Sequence, residues 1–501
     1  MLFRNILTHL FILSVSLSYA QDKPVNSIAI REKNSLLSQH LNNLFENAAL
    51  KQFQRDTSYS ILAIDYLRDK KELFYSQIGQ GENSFKVYSE SYNNKPKSTL
   101  WGKASYSNEK ILKRNFNESS SYQLIYPYVT ADTVGGDLYN EVYYFSGGLN
   151  KSIEKYTFGI NTSFEGTQLY RDIDPRPENK TAKIDLELAI SRQVSDKYRV
   201  AIDLNGFYYT QSNKLSFVNE LSYPLTFYDA GLGNYNSVLA GDPTKSTYKG
   251  FQKGIGLNLI PETKKGWFLE GKYNKFDFGK GLTKTKDNIA EIANKFYETS
   301  FGYMNIGKTE AYLVRATISH NKRLGTEAKF DSKTSGTVYP KISEDLRYSN
   351  TITNFNVFLD YEKRGYPLDW GINISGNFKQ FEESYVSPNR FQQFDLIEAG
   401  IQPRISKQVN NQFIITGLIG LKYQTSLNKN KSFTGLDVSS SIYQMLENNY
   451  TYLTADTFTS LASLSIDYSV KQTLSFFINI QAQNQTNIKQ NYIKVSTGFV
   501  F

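Results

Sequence analysis

The stretch KIDLELAIS at residues 183–191 sets Ile184, Leu186, Leu188 and Ile190 on one face and Lys183, Asp185, Glu187 and Ala189 on the other. A period of two with unlike faces predicts a β-strand, and it excludes an amphipathic helix, whose apolar residues recur at three and four. The pattern repeats along the chain. Val200, Ile202 and Leu204 alternate with Arg199, Ala201, Asp203 and Asn205; Leu474, Phe476, Ile478 and Ile480 alternate with Ser475, Phe477, Asn479 and Gln481. Tyr156, Phe158, Ile160 and Phe164 share a face broken by Thr162. Sandwich strands run to about five or six residues. These runs often reach ten or more, near the roughly 9–11 residues that a tilted strand needs to cross a bilayer.

Connection lengths make a separate argument. Candidate strands fall near 57–67, 84–93, 97–107, 138–149, 153–166, 182–194, 197–211, 246–259, 265–278, 297–306, 309–323, 344–362, 366–382, 391–405, 411–426, 456–468, 471–484 and 490–501. Short links such as NKSI, SDK, PETKKG, KRGY and KQVNN alternate with long ones at 108–137, 212–245, 279–296, 324–343 and 427–455. Outer-membrane barrels alternate short periplasmic turns with long outer loops. The expected fold is therefore all-β: a transmembrane antiparallel up-and-down β-barrel of about 18 strands. The weak patterns at 57–67 and 297–306 leave 16 as the fallback. An even number puts both termini at the periplasmic end.

The two ends of the sequence agree with export. MLFRNILTHLFILSVSLSYA has a basic Arg4, an apolar stretch from Leu7 to Leu17 and small residues at Ser18 and Ala20, the layout of a signal peptide over 1–20. Residues 21–56 follow, with Leu37, Leu41, Leu44 and Ala48 at helical spacing; they read as a short amphipathic helix, which is a periplasmic flap, a leftover of export or a plug entering the barrel. Residues 57–501 form the barrel. At the other end Ile493, Val495, Thr497, Phe499 and Phe501 share a parity opposite to Lys494, Ser496 and Gly498. Phe499 and Phe501 resemble the C-terminal signal read by the barrel-assembly machinery, and the strand is expected to close against the first.

Composition narrows the class. The chain has no Cys, 37 Tyr, 33 Phe and only 12 Pro. Tyr and Phe suit strands, and Tyr suits the membrane interface. A mean hydropathy of −0.46 is compatible with a membrane barrel because only alternate residues meet lipid. The charge of +9 is scattered, so no nucleic-acid partner is expected.

Four stretches carry a family likeness: WGKASYSN at Trp101–Asn108, NESSSYQLIYPYVTADTVGGDLYNEVYYFSGG at Asn117–Gly148, YRDIDPRPENKTAKIDL at Tyr170–Leu186, and TYKG at Thr247–Gly250. They resemble the DUF6850 family of outer-membrane β-barrel proteins from Bacteroidetes. NAAL at Asn47–Leu50 is similar to the NPAAL of related barrels, without its Pro. The resemblance implies a barrel in the outer membrane of a Gram-negative bacterium, and it brings no reaction or substrate.

No catalytic, metal or cofactor site is expected. The histidines are His9, His40 and His320, and neither HExxH nor GxSxG occurs. Lys183, Asp185, Glu187, Arg199, Asp203 and Asn205 share the inward parity and are candidate lumen-lining residues. They form either paired charges that stiffen a polar interior or a selectivity constriction. Pro175 and Pro177 flank Arg176, which is expected on an outer loop, paired with a lumen carboxylate or contacting a ligand. Two functions follow. One is a passive or gated channel for a small solute, since a barrel of this size leaves room for an aqueous path. The other is a non-transporting surface or assembly component whose loops dock a lipoprotein or secreted partner. Filling of the lumen by 21–56 and by Phe207, Tyr209 and Phe477 would favour the second. Outer-membrane lipid is a partner in both.

Overall fold

The computed structural model describes residues 30, 32–219, 224–241, 245–283, 285, 287–331, 339–365, 367–410, 412–471 and 474–501; the leader expected at 1–20 lies outside them. In chain order the strands are β1 (Tyr59–Lys70), β2 (Gly81–Lys95), β3 (Ser98–Arg114), β4 (Thr130–Asp132), β5 (Gly136–Ile153), β6 (Tyr156–Tyr170), β7 (Arg176–Gln193), β8 (Tyr198–Ser216), β9 (Thr226–Gly231), β10 (Asn234–Tyr235), β11 (Ser246–Pro261), β12 (Lys265–Leu282), β13 (Asn288–Ile306), β14 (Glu310–Phe330), β15 (Lys341–Lys363), β16 (Leu368–Tyr385), β17 (Arg390–Gln408), β18 (Phe413–Phe433), β19 (Thr457–Lys471), β20 (Leu474–Gln485) and β21 (Gln490–Val500). Strands β4, β9 and β10 form a small sheet of their own; the other 18 form one antiparallel sheet. It closes where β21 pairs with β1, from Ile61 opposite Val500 to Lys70 opposite Asn491. Closure leaves no unpaired edge in lipid, where each orphan backbone group costs several kcal/mol.

The alternation read from the sequence is realised on the wall. Ile184, Leu186, Leu188 and Leu204 are exposed on the outer face, while Ala201, Phe207 and Tyr209 are buried inside. Outward aromatics gather near the short-turn end: Trp267 stacks on Phe301 at 5.0 Å and lies against Tyr303, and Tyr361 packs on Trp370 at 5.3 Å. Aromatic girdles of this kind flank the apolar band of membrane barrels. On β21, Ile493 faces out, as its parity requires, and Phe499 packs on Phe476 at 5.4 Å. The backbone of Phe501 exchanges hydrogen bonds of 2.9 and 2.6 Å with Ser60 beyond the last strand residue.

Several strands run further toward the long-loop end than expected. β13 begins at Asn288 rather than 297, β14 reaches Phe330, and β7 starts at Arg176. DPRPENK is therefore mostly strand, and the connection before it spans only 171–175. Past the lipid belt the outer face meets water, so polar residues there erase the two-residue contrast that marks the strand in sequence.

Both ends of the barrel are filled from within. Helix α1 (Leu36–Leu44) lies inside the short-turn end. Ser35 caps it by accepting from the Ser38 N–H at 3.0 Å. Leu37, Leu41, Leu44 and Phe45 pack on the wall residues Ala201, Ile260, Phe268, Met304 and Leu313. Each such burial contributes about 1.5–3 kcal/mol. At the long-loop end a lid forms from the connections between strands. It includes α2 (Tyr122–Ile125), α3 (Ser441–Leu453) and the β4–β9–β10 sheet.

Candidate functional site: a lumen closed by a floor and a lid

The floor is the segment from Ile30 to Phe53, and it meets the wall through polar contacts on many strands. Lys33 reaches Asp467 at 3.2 Å and sits over the Phe477 ring, 3.2 Å from its centre. Burial pulls the Lys33 ammonium below its ordinary value, against the pull of Asp467. The Ser35 hydroxyl donates to Glu362, and His40 lies 2.6 Å from Asp360 and stacks on Phe358. Across the barrel, the NAAL turn docks on β7 and β8. The Ala48 N–H donates to Glu187 at 2.7 Å, and the Asn47 amide donates to Asp203 at 3.0 Å and Asn258 at 3.2 Å. The turn can approach because Gly159 on β6 lacks a side chain: a Cβ there would lie 2.4–2.6 Å from the Ala48 and Ala49 backbone.

This placement divides the residues expected to form one charged ladder. All six face inward. Lys183 pairs with Asp185 at 3.2 Å. Glu187 and Asp203 hold the floor, and Asn205 donates to Asp203 at 2.8 Å. Arg199 is buried and pairs with Glu262 at 3.0 Å while donating to Thr157 and Ser191. They do not form a ring. Strand parity predicts the facing of Glu187 and Asp203 but not their partner, because that partner is a separate segment far away in the chain.

Above the floor lies a polar chamber of 570 Å³. On its walls Glu90, Glu165, Asp185, Glu187, Asp203 and Glu270 outnumber Lys103, Lys183 and Lys272, and the floor adds Glu46 and Lys51. A second cavity of 540 Å³, lined by Gln77, Tyr122, Phe207 and Tyr209, shares Glu165 and Lys183 with the chamber. Glu165 and Lys183 are directly opposed across β6 and β7 and mark the waist between the two spaces. Lys183 also lies 4.6 Å from the centre of the Phe207 ring.

The lid is knitted around two buried polar centres. In one, Arg171 pairs with Glu118 at 2.9 Å and Asp132 at 2.7 Å, all three side chains being essentially inaccessible. It also donates to the Pro175 carbonyl at 2.6 Å. Asp132 accepts from the Val134 and Gly135 N–H groups at 2.6 and 2.7 Å. Burial, then the neighbouring Asp132 charge, pushes the Glu118 carboxyl well up. Burial would also raise Asp132, but Glu118, Arg171 and Gly135 together hold it below its ordinary range. In the other centre, Gln77 donates to Asp229 at 2.9 Å and accepts from Tyr122 at 2.8 Å. Burial raises Asp229 to about 7. Around both, Ile125, Tyr128, Val129, Phe227 and Leu446 pack on the inward Tyr209, Tyr248, Phe278 and Tyr348.

Arg176 is not the lumen arginine. It sits on the first residue of β7, partly exposed, and pairs with Asp174 at 2.9 Å. Arg171, five residues earlier in the same YRDIDPRPENK stretch, takes the buried role. The strand parity of Lys183 and Asp185, extended back to 176, would have placed Arg176 on the outer face. The two long stretches that carry the family likeness contain Glu118, Asp132 and Arg171, so the lid clamp is their common structural content.

Likeness to solved structures is confined to overall architecture. The structure of the FpvAI–pyocin S2 complex aligns with 89% of this chain and 73% of that one, at 9% identity and a TM-score of 0.44. The ferric enterobactin receptor PfeA from Pseudomonas aeruginosa aligns over 89% and 80%, at 7% identity and 0.39. OmpT, an outer membrane protein of Vibrio cholerae, aligns over 89% and 98%, at 12% identity and 0.30. Among curated proteins none matches the sequence. The model of a family of unknown function, DUF6850, matches residues 47–501, so this closed, outer-membrane-type barrel belongs to that family.

Proposed function

We propose that the protein is a gated conduit for small hydrophilic solutes in the outer membrane of a Gram-negative bacterium, caught here in its closed state. The short-turn end faces the periplasm, with both termini there, and the lid faces outward. The observation that carries this is a polar chamber that meets a second, more apolar cavity at Glu165 and Lys183 and is stopped below by a separate segment. A volume of several hundred cubic ångströms is the size that small-molecule sites use. The floor seated inside the short-turn end supports the gated form of the expectation over the passive one.

The test is conductance in planar bilayers. Full-length protein should be almost silent, and the variant lacking residues 30–56 should conduct. A folded deletion variant that stays sealed, including when 224–241 is also removed, would overturn the proposal.

Docking of a lipoprotein or secreted partner is a second reading, and the filling of the lumen by Leu37, Leu41 and Leu44 and by the buried Phe207, Tyr209 and Phe477 favours it, whereas the chamber left between floor and lid favours the conduit. Val134, Ile173, Val218, Ile342, Val386 and Val438 are exposed apolar residues at the lid end. Co-purification of one stoichiometric partner, lost on changing Ile173 and Val218 to Ser, would favour it. We also infer that Phe499 and Phe501 are read by the barrel-assembly machinery. Phe501→Asp should lower the amount of heat-modifiable barrel in the membrane while leaving export intact; wild-type amounts would reduce Phe501 to a packing role.

A further inference from the structure

The outer wall carries a row of like charge that the barrel does not neutralise. Lys253 on β11 lies directly opposite Lys275 on β12, Lys275 opposite Lys295 on β13, and Lys295 opposite Lys322 on β14. All four share the parity of the exposed Ile255, Leu269, Tyr297 and Ile318, so they project from the outer face. Neighbouring strands are about 4.8 Å apart, and like charges directly opposite one another destabilise a strand pair. Lys275 has a counter-ion in Asp277 at 2.9 Å. Lys253, Lys295 and Lys322 are exposed and have no ion-pair or hydrogen-bond partner among the described residues.

The height of the row is informative. Just below it on the short-turn side, Tyr273 and Tyr297 are opposed with ring centres 5.0 Å apart. Below these the wall presents Leu269 and Phe301 down to Trp267. From Lys265 to Lys275 the wall climbs about 25 Å, at ~3.3 Å per residue and a tilt of ~40°, which matches the apolar band of a membrane barrel. Lys275 therefore sits at headgroup level on the lid side, and the row crosses that level obliquely, rising by about 9 Å from Lys253 to Lys322. Immediately beyond it, a groove of 500 Å³ opens on the same outer face, lined by Tyr208, Lys249, Phe251, Asp277, Gly279 and Glu291.

We propose that this row and groove bind the headgroup of a phosphate-bearing glycolipid in the leaflet on the lid side. The lysines neutralise phosphate, which removes the cost of their mutual repulsion. Asp277 and Glu291 accept hydrogen bonds from sugar hydroxyls, and Tyr208 and Phe251 flank the sugar face. The proposal rests on the membrane reading above and is independent of the gate.

The test uses full-length protein in a non-ionic detergent, titrated with lipopolysaccharide, with the same lipopolysaccharide after enzymatic dephosphorylation, and with inorganic phosphate. Each lysine near an anionic lipid surface contributes about fivefold, so K253Q/K295Q/K322Q should weaken lipopolysaccharide binding on the order of 100-fold. The corresponding triple Arg variant should bind like the wild type, and the dephosphorylated lipid should bind as poorly as the Gln variant does to the intact one. Equal affinity for both lipids, or wild-type affinity in the Gln variant, would overturn the proposal. Competition by inorganic phosphate at the same concentration as the lipid would also overturn it, by making this a free-anion site. Heat-modifiability confirms that each variant is folded. If the triple variant is not, the three single Gln variants replace it, each expected to lose about fivefold. Wild-type protein that stays monodisperse without detergent would instead refute the membrane reading.

Discussion

The floor and the lid close the same barrel by different means. The floor is one continuous segment joined to the wall at Tyr59, and its wall partners are carboxylates and amides on many strands. The lid is made of several connections, each held at both ends by a strand. Its charges are sequestered in the Arg171 centre and its apolar groups interlock. A segment whose one covalent join to the wall, among the described residues, is at Tyr59 can leave as a unit, trading each polar contact for water at a net cost of about 0.5–1.5 kcal/mol per hydrogen bond. A loop tied at both ends and neutralised by a buried arginine cannot move without exposing or orphaning charge. The difference assigns the moving part to the floor and the fixed part to the lid.

The largest test of that difference is Arg171→Ala. It leaves the buried Asp132 carboxylate without its paired arginine, a loss that costs roughly 3–5 kcal/mol in buried pairs. Lid connections 115–135 and 224–241 should become protease-sensitive while the barrel keeps its heat-modifiability. Arg176→Ala is the matched control: its partner Asp174 is at the surface, so a change within about 0.5 kcal/mol is expected. Equal protease sensitivity in the two variants would remove the clamp from the account.

The second test concerns pH. Asp229 titrates at about 7 in the docked lid against an ordinary 3.8, because burial disfavours its charge and Glu383 adds to the effect, while Gly231, Gln77 and Lys280 oppose it. The docked form thus holds the proton to higher pH than the released form. The Asp229 contribution to docking is strongest below pH 4, weakens as pH rises to about 7, and is flat above; Glu118, also raised by burial, acts in the same direction. The Asp229 contribution changes by an amount on the order of 2–4 kcal/mol. Hydrogen exchange of lid amides should therefore slow from pH 8 to pH 5 after correction for intrinsic rates. Asp229→Asn should remove the Asp229 share of the lid profile, and the profile of a floor amide such as that of Leu41 should not change with that substitution. A lid profile unaltered in Asp229→Asn, or a floor profile altered with it, would remove Asp229 from the account.

The wall was legible in the sequence, and its two closures less so. Eighteen strands and the β1–β21 seam follow from alternation, which is strong wherever one face meets lipid and the other meets water or protein. The same physics explains the misplaced ends. Around Glu291 and Lys295 both faces are polar-tolerant, and the period of two disappears. Helix α1 was visible because Leu37, Leu41 and Leu44 recur on one face. Helix α3 carried a similar signal, a Ser440 cap accepting from Tyr443 at 3.2 Å before Met445, Leu446 and Tyr450, but it sat unread inside a long loop. Which charges pair was not legible at all. Arg171 meets Glu118 and Asp132 only through the fold, and its local neighbours distinguish it little from Arg176.

The smallest effect is expected at the floor, from a single methyl group. Gly159→Ala places a Cβ against backbone atoms of Ala48 and Ala49, which cannot swing aside as a side chain could. Either β6 or the NAAL turn must shift. β6 is held by hydrogen bonds to β5 and β7 along its length, so the turn is the part that yields. Overpacking of this kind costs about 1–3 kcal/mol. The methyl itself suits a strand as well as glycine does, so the wall is not weakened. The variant should show faster proteolysis within 30–56, brief openings in bilayers, and a lid as protected as in the wild type. Protection of 30–56 equal to the wild type would mean that the turn is not seated on β6, and the floor would lose its claim to be the part that moves.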